Sequence, residues 1–195
     1  VFVGTAGGDA DLYRIPFRPE ATLTMEDATN LTSHPAGDFR PAFSPDGTRI
    51  AFSTDRDTPP APHPRIPFAL RREGEIYVMG VDGGAPTRLT RSPGWDGSPA
   101  WSADGETVFF YSELEERGEF RIWAVGVEGG EARAVSPAGR PALSPATGGD
   151  GRLAFSTWTE SAGDERWRVA SVAAAGDPAV RTESDPAMDC LTPDV

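Results

Sequence analysis

The stretch Phe43-Ser44-Pro45-Asp46-Gly47 and the run Ile50-Ala51-Phe52-Ser53 that follows it decide the fold of this 195-residue chain. In a Ser-Pro-Asp-Gly turn, proline fixes φ at about −65° and glycine tolerates the left-handed backbone that closes the turn. An apolar run directly after such a turn is typical of a buried strand. The stretch therefore predicts two antiparallel strands joined by a tight turn.

This opening recurs twice along the chain. The whole opening, residues 40–47, reads Arg-Pro-Ala-Phe-Ser-Pro-Asp-Gly. Residues 98–105 read Ser-Pro-Ala-Trp-Ser-Ala-Asp-Gly, and Pro99 lies 58 residues after Pro41. Residues 140–145 read Arg-Pro-Ala-Leu-Ser-Pro, with the matching proline a further 42 residues on and the glycine of the turn delayed to Gly151. Self-similarity at this spacing indicates a structural repeat.

The remaining strands of a unit follow each opening. A second and a third apolar strand come next, then an Asp/Glu-Gly-Gly turn and a short strand that contains Leu-Thr or its equivalent. Such a meander is apolar on both faces. These faces are removed from water only if neighbouring sheets stack against them. We therefore predict an all-β fold of four-stranded antiparallel blades. The repeats are assigned to residues 1–38, 39–96, 97–138 and 139–184.

The second unit resembles the repeat of TolB-type β-propellers over successive stretches. These are Phe43-Ser44-Pro45-Asp46-Gly47, Ile50-Ala51-Phe52-Ser53, Ile76-Tyr77-Val78-Met79, Asp82-Gly83-Gly84 and Arg88-Leu89-Thr90. The resemblance covers most of residues 1–182 and implies a β-propeller. It says little about activity, because the repeat also occurs in propellers of prolyl-oligopeptidase-like enzymes and of tricorn-like proteases.

The number of units bears on the size of the propeller. Propellers of this family usually close with six or more blades, whereas about four are visible here. The first unit lacks its opening strand, and the chain begins at Val1 without a methionine. We therefore expect part of a larger six- to eight-bladed propeller, with a closed four-bladed propeller as the alternative.

The overall charge and composition exclude several classes of protein. A net charge of −12 repels phosphate backbones, so we expect no nucleic-acid partner. No apolar run is long enough to predict a membrane span. The single cysteine, Cys190, allows no internal disulfide, which fits either the cytoplasm or a bacterial periplasm.

Residues that could carry catalysis are scarce. No Gly-x-Ser-x-Gly motif is present, and no Cys and His residues stand at zinc-binding spacing. The two histidines, His34 and His63, each precede a proline in a loop, where an exposed structural role is favoured over catalysis or metal binding. We therefore predict a chain without a catalytic site of its own.

Acidic residues cluster in the loops between the second and third strands. Such loops lie on one rim of a propeller, and their carboxylates offer the hard oxygen ligands that Ca²⁺ prefers. A solvated acidic surface is the favoured interpretation, so we expect no cofactor and keep Ca²⁺ as the alternative. The residues concerned are Asp55, Asp57, Glu113, Glu115, Glu116, Asp164 and Glu165.

A Pro-rich insertion at residues 58–73 lengthens the loop of the second unit. Long loops on a rigid scaffold often carry function, and proline favours extended backbone. The insertion is locally basic and apolar in an acidic protein, which suggests a partner-binding loop, with a tolerated surface insertion as the alternative. The candidate binding residues are Arg65, Ile66, Phe68, Leu70, Arg71 and Arg72.

The function predicted from these features is binding. The resemblance implies a non-catalytic binding or scaffolding module of an exported, periplasmic or secreted bacterial protein, with a protein or an envelope component as its partner. The alternative is a substrate-gating propeller of a prolyl-oligopeptidase-like serine peptidase whose catalytic domain lies outside this sequence. A propeller enzyme acting on acidic sugars is disfavoured because histidines are so few.

Overall fold

The computed structural model describes residues 1–6, 8–58, 74–113, 119–161, 164–173 and 181–182. Strands dominate these ranges, and the one helical segment among them is a three-residue 3₁₀ turn, Met25–Asp27. No helix in the described ranges is therefore long or apolar enough to cross a membrane. The strands are β1 (Phe2–Gly4), β2 (Asp11–Arg14), β3 (Thr29–Asn30), β4 (Asp38–Phe43), β5 (Arg49–Thr54), β6 (Glu75–Gly80), β7 (Gly83–Arg88), β8 (Gly97–Trp101), β9 (Thr107–Ser112), β10 (Arg121–Gly126), β11 (Arg133–Ala134), β12 (Ala142–Thr147), β13 (Arg152–Ser161), β14 (Asp164–Ala173) and β15 (Arg181–Thr182).

These strands form four antiparallel sheets in chain order. The first sheet is β1-β2-β3, and the others are β4-β5-β6-β7, β8-β9-β10-β11 and β12-β13-β14-β15. We call them blades one to four. In blade one, Phe2–Gly4 pairs with β2 and takes the place of a second strand, so the opening strand is the one that is lacking. The predicted meander of four-stranded blades is thus confirmed for blades two to four.

The Ser-Pro-Asp-Gly turn has the predicted geometry. The Ser44 N–H donates to the Arg49 carbonyl at 2.9 Å, and Gly47, with φ of 69°, closes the turn. The Asp46 carboxylate accepts from the Thr48 N–H at 3.0 Å. Hydrogen bonds from Ser44 and Thr48 lower the pKa of Asp46 to about 2. Asp46 is therefore a turn-forming residue.

Blade four differs from the predicted alignment of its opening. The turn hydrogen bonds run from Gly148 N–H to the Arg152 carbonyl and from Gly151 N–H to the Gly148 carbonyl, as at Ser44 in blade two. Pro145, and not Pro141, is therefore the equivalent of Pro41. In blades two, three and four the residue before this proline has positive φ and interrupts the strand register; these residues are Arg40, Ser98 and Ser144.

Large apolar side chains join successive blades face to face. Blades two and three share a cluster that includes Ile76, Phe110 and Trp123, and similar clusters lie between blades one and two and between three and four. Each fully buried side chain of this size stabilises the fold by about 1.5–3 kcal/mol. The stacking confirms that blades two and three bury both faces.

The blades converge at their first strands. Trp101 of β8 donates through Nε1 to the Ala42 carbonyl of β4 at 3.0 Å, and Thr147 of β12 donates to the Trp101 carbonyl at 2.6 Å. Among the described residues, the fourth strands β7 and β11 make their main contacts within their own sheets. The first strands are therefore the inner strands, next to the axis, and the blades splay apart toward the outside.

Candidate functional site

The two ends of this arc of blades differ in chemistry. One end, which we call the turn end, carries the tight turns after the first and third strands. The other, the loop end, carries the connections from second to third strands and from each blade to the next. The Pro-rich insertion, the acidic loops and the polar networks described below all belong to the loop end.

Glu75, the first residue of β6, organises the loop end of blade two. Its carboxylate accepts from Arg88 Nη2 at 2.6 Å, from the Thr90 hydroxyl at 2.6 Å and from the Ser92 N–H at 3.1 Å. The Thr90 oxygen also accepts from the Ile76 N–H at 2.9 Å. This buried network ties the start of the third strand to the chain that follows the fourth strand.

The network continues into the loop after β5. Arg88 Nη1 lies 3.2 Å from Asp57 Oδ2, and the Tyr77 hydroxyl donates to the same oxygen at 2.5 Å. Burial and the hydrogen bond to Asp57 raise the pKa of Tyr77 to about 12, so the phenol stays protonated. Asp57, a candidate Ca²⁺ ligand, is thereby engaged by an arginine and a tyrosine.

A second ion pair fixes the loop end near the axis. Arg56 Nη2 lies 2.9 Å from Oδ1 of Asp38, which is fully buried at the start of β4. The guanidinium of Arg56 also stacks over the rings of Phe52 and Tyr77, at 5.4 and 4.9 Å from their centroids. A cation held by both a carboxylate and aromatic faces is a rigid element of the surface.

Aromatic side chains, three of them partly exposed and packed around the buried Tyr111, lie on the axis side of the loop end. Phe39 and Trp95 lie 6.4 Å apart, and Tyr111 meets Phe120 edge to face at 5.5 Å. Gly97 provides the space between them, because a Cβ there would lie 2.5 Å from the Tyr111 ring and 2.7 Å from Trp95 Nε1. We call Phe39, Trp95, Tyr111 and Phe120 the aromatic cluster.

Arginine and tryptophan flank the aromatic cluster. Arg40 is exposed, lies 5.8 Å from the centroid of the Tyr111 ring and donates to the Ser98 hydroxyl. In blade four, β13 and β14 pair beyond the start of the inner strand β12, and Trp158 packs against Trp167 on this extension at 5.8 Å. Partly exposed aromatic side chains beside an exposed arginine on a rigid scaffold are typical of protein-binding surfaces.

The turn end has a concavity of its own. A cavity of about 570 Å³ lies between the inner strands of blades two, three and four, with Phe43, Pro99, Trp101 and Pro145 in its wall. These residues hold equivalent or adjacent positions in successive repeats. The cavity therefore follows from the repeat.

The predicted site residues fall in different places. The candidate partner-binding residues Arg65, Ile66, Phe68, Leu70, Arg71 and Arg72 lie outside the described residues, as do His63, Glu115, Glu116 and Cys190. The His34 ring accepts from the Ala36 N–H at 3.0 Å, which is a loop-forming role.

The acidic loops show no assembled metal site where the structure describes them. Asp55 is buried, and its carboxylate accepts from the Gly37 N–H at 2.8 Å. Across the described ranges, no group of three or more His, Cys, Asp and Glu side chains is arranged to hold a metal ion. The Ca²⁺ hypothesis stays a prediction.

Sequence reasoning missed the buried carboxylates of Glu75, Asp38 and Asp96. A signal was available, because Asp38 and Asp96 both stand three residues before the repeat proline. Their N–H groups donate to Ala10 and Gly74 carbonyls of the preceding blade at 2.7 and 2.8 Å. An acidic residue at the start of an inner strand is thus a feature of blades two and three.

Comparison with known proteins agrees with the repeat. The TolB beta propeller domain family matches residues 61–177. An uncharacterized protein of Agrobacterium fabrum is 30% identical over 129 residues, which are 66% of this chain and 36% of that protein. The Tol-Pal system protein TolB of Bordetella pertussis is 34% identical over 123 residues, covering 47% of this chain and 28% of that protein. The chain therefore spans about a third of the length of these relatives.

Solved structures show the same fold. TolB from Acinetobacter baumannii superposes with a TM-score of 0.66 at 19% identity, over 92% of this chain and 39% of that chain. A puromycin-hydrolyzing peptidase of Mycobacterium tuberculosis gives 0.58 at 20% identity, over 96% of this chain and 34% of that chain. The predicted β-propeller architecture, as part of a larger propeller, is confirmed.

Proposed function

We propose, from the premise that this chain belongs to the TolB beta-propeller domain family, that it is a non-catalytic binding module whose loop end docks a protein partner. The observation that supports this most is the aromatic cluster with Arg40 beside it. Aromatic and arginine side chains contribute a large share of binding energy at protein interfaces when they are held rigidly.

Rigidity here has identifiable causes. The close packing of Trp95 and Tyr111 against Gly97 and the cation–π contact of Arg40 with Tyr111 restrict their rotamers. A side chain that is already ordered loses little entropy when a partner binds. The Pro-rich insertion returns to the described chain at Gly74, which forms a parallel bridge with Trp95. We include the insertion in the proposed surface on the ground of this bridge, while its own residues lie outside the described ranges.

A matched pair of variants on one strand tests the surface. Phe39 lies at the loop end of β4, and Phe43, which is 43% exposed, lies at its turn end. Purified chain is incubated with envelope extract of the source bacterium, and captured proteins are quantified by mass spectrometry. A specific partner should be reduced at least tenfold by Phe39→Ser and little by Phe43→Ser. Equal recovery with both variants and with the wild type would exclude a loop-end interface.

The insertion is tested separately. Replacing residues 58–73 by a short Gly-Ser linker should reduce recovery of the same partner, because Arg65, Ile66, Phe68, Leu70, Arg71 and Arg72 are lost together. Unchanged recovery would restrict the interface to the aromatic cluster. Export to the periplasm or the medium is part of this proposal, and cell fractionation of the full-length protein checks it.

A second candidate function is a gating propeller of a serine peptidase. The uncharacterized peptidase YuxL of Bacillus subtilis favours it, since that protein is 33% identical over 76 residues, 39% of this chain and 10% of that protein. The sequence of the whole gene separates the two proposals. A following α/β domain with Gly-x-Ser-x-Gly, then Asp and His, would support gating and contradict a purely binding role.

A further inference from the structure

A hydroxyl side chain marks the point where the chain leaves each of the first three blades. Its oxygen accepts from the N–H of the second residue of the third strand. These acceptors are Thr32, Thr90 and Ser136, at 3.1, 2.9 and 2.9 Å. The repeat proline follows nine residues after each of them, as Pro41, Pro99 and Pro145. The hydroxyl and the inner strand of the next blade therefore stand at a constant spacing.

Blade four continues this pattern into the residues that follow β15. Strand β15 pairs with β14 in the register that β11 has with β10, which makes Thr182 the equivalent of Ala134. Ser184 is then the equivalent of Ser136, and Pro193 follows Ser184 by nine residues. The stretch around this proline, Cys-Leu-Thr-Pro-Asp-Val at 190–195, aligns with Ala-Leu-Ser-Pro-Ala-Thr at 142–147, which is the inner strand β12.

One face of blade four has the position that such a strand covers in the other blades. Leu153 and Phe155 of β13 pack against blade three, so Trp158 and its cross-strand partner Trp167 lie on the opposite face. The same face of blades two and three is covered by the inner strand of the next blade, because β5 and β6 contact β8, and β9 and β10 contact β12. The described residues include no strand after β15, so they supply no inner strand for blade four.

We propose that residues 184–195 pack on this face as the connection to, and the inner strand of, the blade that follows blade four. In three blades the first N–H of the inner strand donates to a carbonyl of the preceding blade. These bonds run from Asp38 to Ala10, from Asp96 to Gly74 and from Ala142 to Phe120, at 2.7, 2.8 and 2.7 Å. In the same register the Cys190 N–H donates to the Trp167 carbonyl.

This arrangement buries the one thiol of the chain. Cys190 takes the position of Asp38, Asp96 and Ala142, which are at most 1% exposed. A buried thiol reacts slowly with alkylating reagents, because the reagent gains access only when the segment opens. The face is formed by residues other than the aromatic cluster, so the proposal is independent of the proposed binding function.

Thr192 makes the register itself testable. Its equivalents Arg40, Ser98 and Ser144 have φ of 50°, 49° and 52°. A β-branched residue is strained at such a positive φ, whereas glycine adopts it freely. Thr192→Gly should therefore strengthen the packing of the segment, although glycine in an ordinary extended strand weakens it.

Alkylation of the native chain by N-ethylmaleimide, followed by mass spectrometry, tests the burial of Cys190. The control is the double variant Cys190→Ser with Asp185→Cys, because position 185 corresponds to Ser33, Arg91 and Pro137, all of which are exposed. Each rate is divided by the rate in concentrated urea. Cys190 should react at least tenfold more slowly than the control thiol by this ratio. Equal ratios would overturn the proposal.

The same reaction tests the register. Thr192→Gly should slow the alkylation of Cys190 several-fold relative to the wild type. Thr22→Gly, at an exposed threonine in a loop of blade one, should leave the rate unchanged. A rate in Thr192→Gly equal to or faster than that of the wild type would refute the left-handed position of residue 192, and with it the alignment of residues 190–195 with the inner strands.

Discussion

Asp38 and Asp96 stand at the start of the inner strands of successive blades and make the same backbone hydrogen bond, yet within the described part of the chain only Asp38 is ion-paired. The Asp38 N–H donates to the Ala10 carbonyl at 2.7 Å and the Asp96 N–H to the Gly74 carbonyl at 2.8 Å. Arg56 supplies the cation for Asp38. Equivalent backbone positions therefore carry carboxylates with different electrostatic surroundings. Variants at each position can measure the two effects on stability separately.

The stability of the protein should depend on the ionisation of Asp96. Burial raises its pKa to about 6, and the nearby hydroxyl groups of Ser112, Thr90 and Ser92 offset only part of this effect. A carboxyl that keeps its proton longer in the folded state than in the unfolded state destabilises the fold as pH rises between the two pKa values. The free energy of unfolding should thus fall by about 3 kcal/mol between pH 4 and pH 7 on account of Asp96.

The variant Asp96→Asn removes that fall. Urea unfolding of wild type and variant, measured at intervals over the same pH range, should give curves that diverge as pH rises, with the variant relatively more stable near pH 7. Glu106→Gln serves as the control for a general change in net charge. Parallel curves for wild type and Asp96→Asn would contradict the raised pKa.

Breaking the Asp38–Arg56 pair from one side should be strongly destabilising. Arg56→Met keeps much of the side-chain volume over Phe52 and Tyr77 but leaves the buried Asp38 charge uncompensated. Removal of one partner of a buried pair costs about 3–5 kcal/mol. The double variant Arg56→Met with Asp38→Asn should recover part of this loss. Denaturant unfolding checks both, and a double variant less stable than Arg56→Met would refute the explanation.

Thr90 should matter far more than its neighbour Thr87. The Thr90 hydroxyl accepts from the Ile76 N–H and donates to Glu75, whereas Thr87, three residues earlier in β7, is exposed. Thr90→Val leaves a buried N–H and a carboxylate oxygen unsatisfied, which costs about 2 kcal/mol. Thr87→Val should change stability by less than about 0.5 kcal/mol. Thermal unfolding of the two variants compares them directly.

Gly97→Ala should disturb the aromatic cluster. The new Cβ would lie 2.5 Å from the Tyr111 ring and 2.7 Å from Trp95 Nε1, so the rings must move. Such overpacking costs about 1–3 kcal/mol and should alter the near-ultraviolet circular dichroism of the aromatic side chains. Gly149→Ala is the control, because a Cβ there meets no atom within 4 Å. An unchanged spectrum in Gly97→Ala would contradict the packing of the cluster.

Local features of the fold were predictable because they depend on neighbouring residues. The turn at Asp46 is held by Ser44 and Thr48, all within five residues, and such contacts are visible in a sequence motif. The opening of blade four was misaligned because Pro141-Ala142 and Pro145-Ala146 both fit the motif. Only the hydrogen-bond register, in which Ala146 pairs with Ala154, selects the second pair.

The sequence by itself determined the blades: turn residues, apolar strands and their period predict a stack of four-stranded meanders. The tertiary structure alone decided which polar groups meet. Arg88 pairs with Asp57, although the insertion separates the two along the chain, and the Asp96 N–H donates to Gly74 of the preceding blade. These contacts join residues that are distant along the chain, and their energies depend on burial. A sequence pattern records the kinds of residues present, but burial and pairing are properties of the assembled blades.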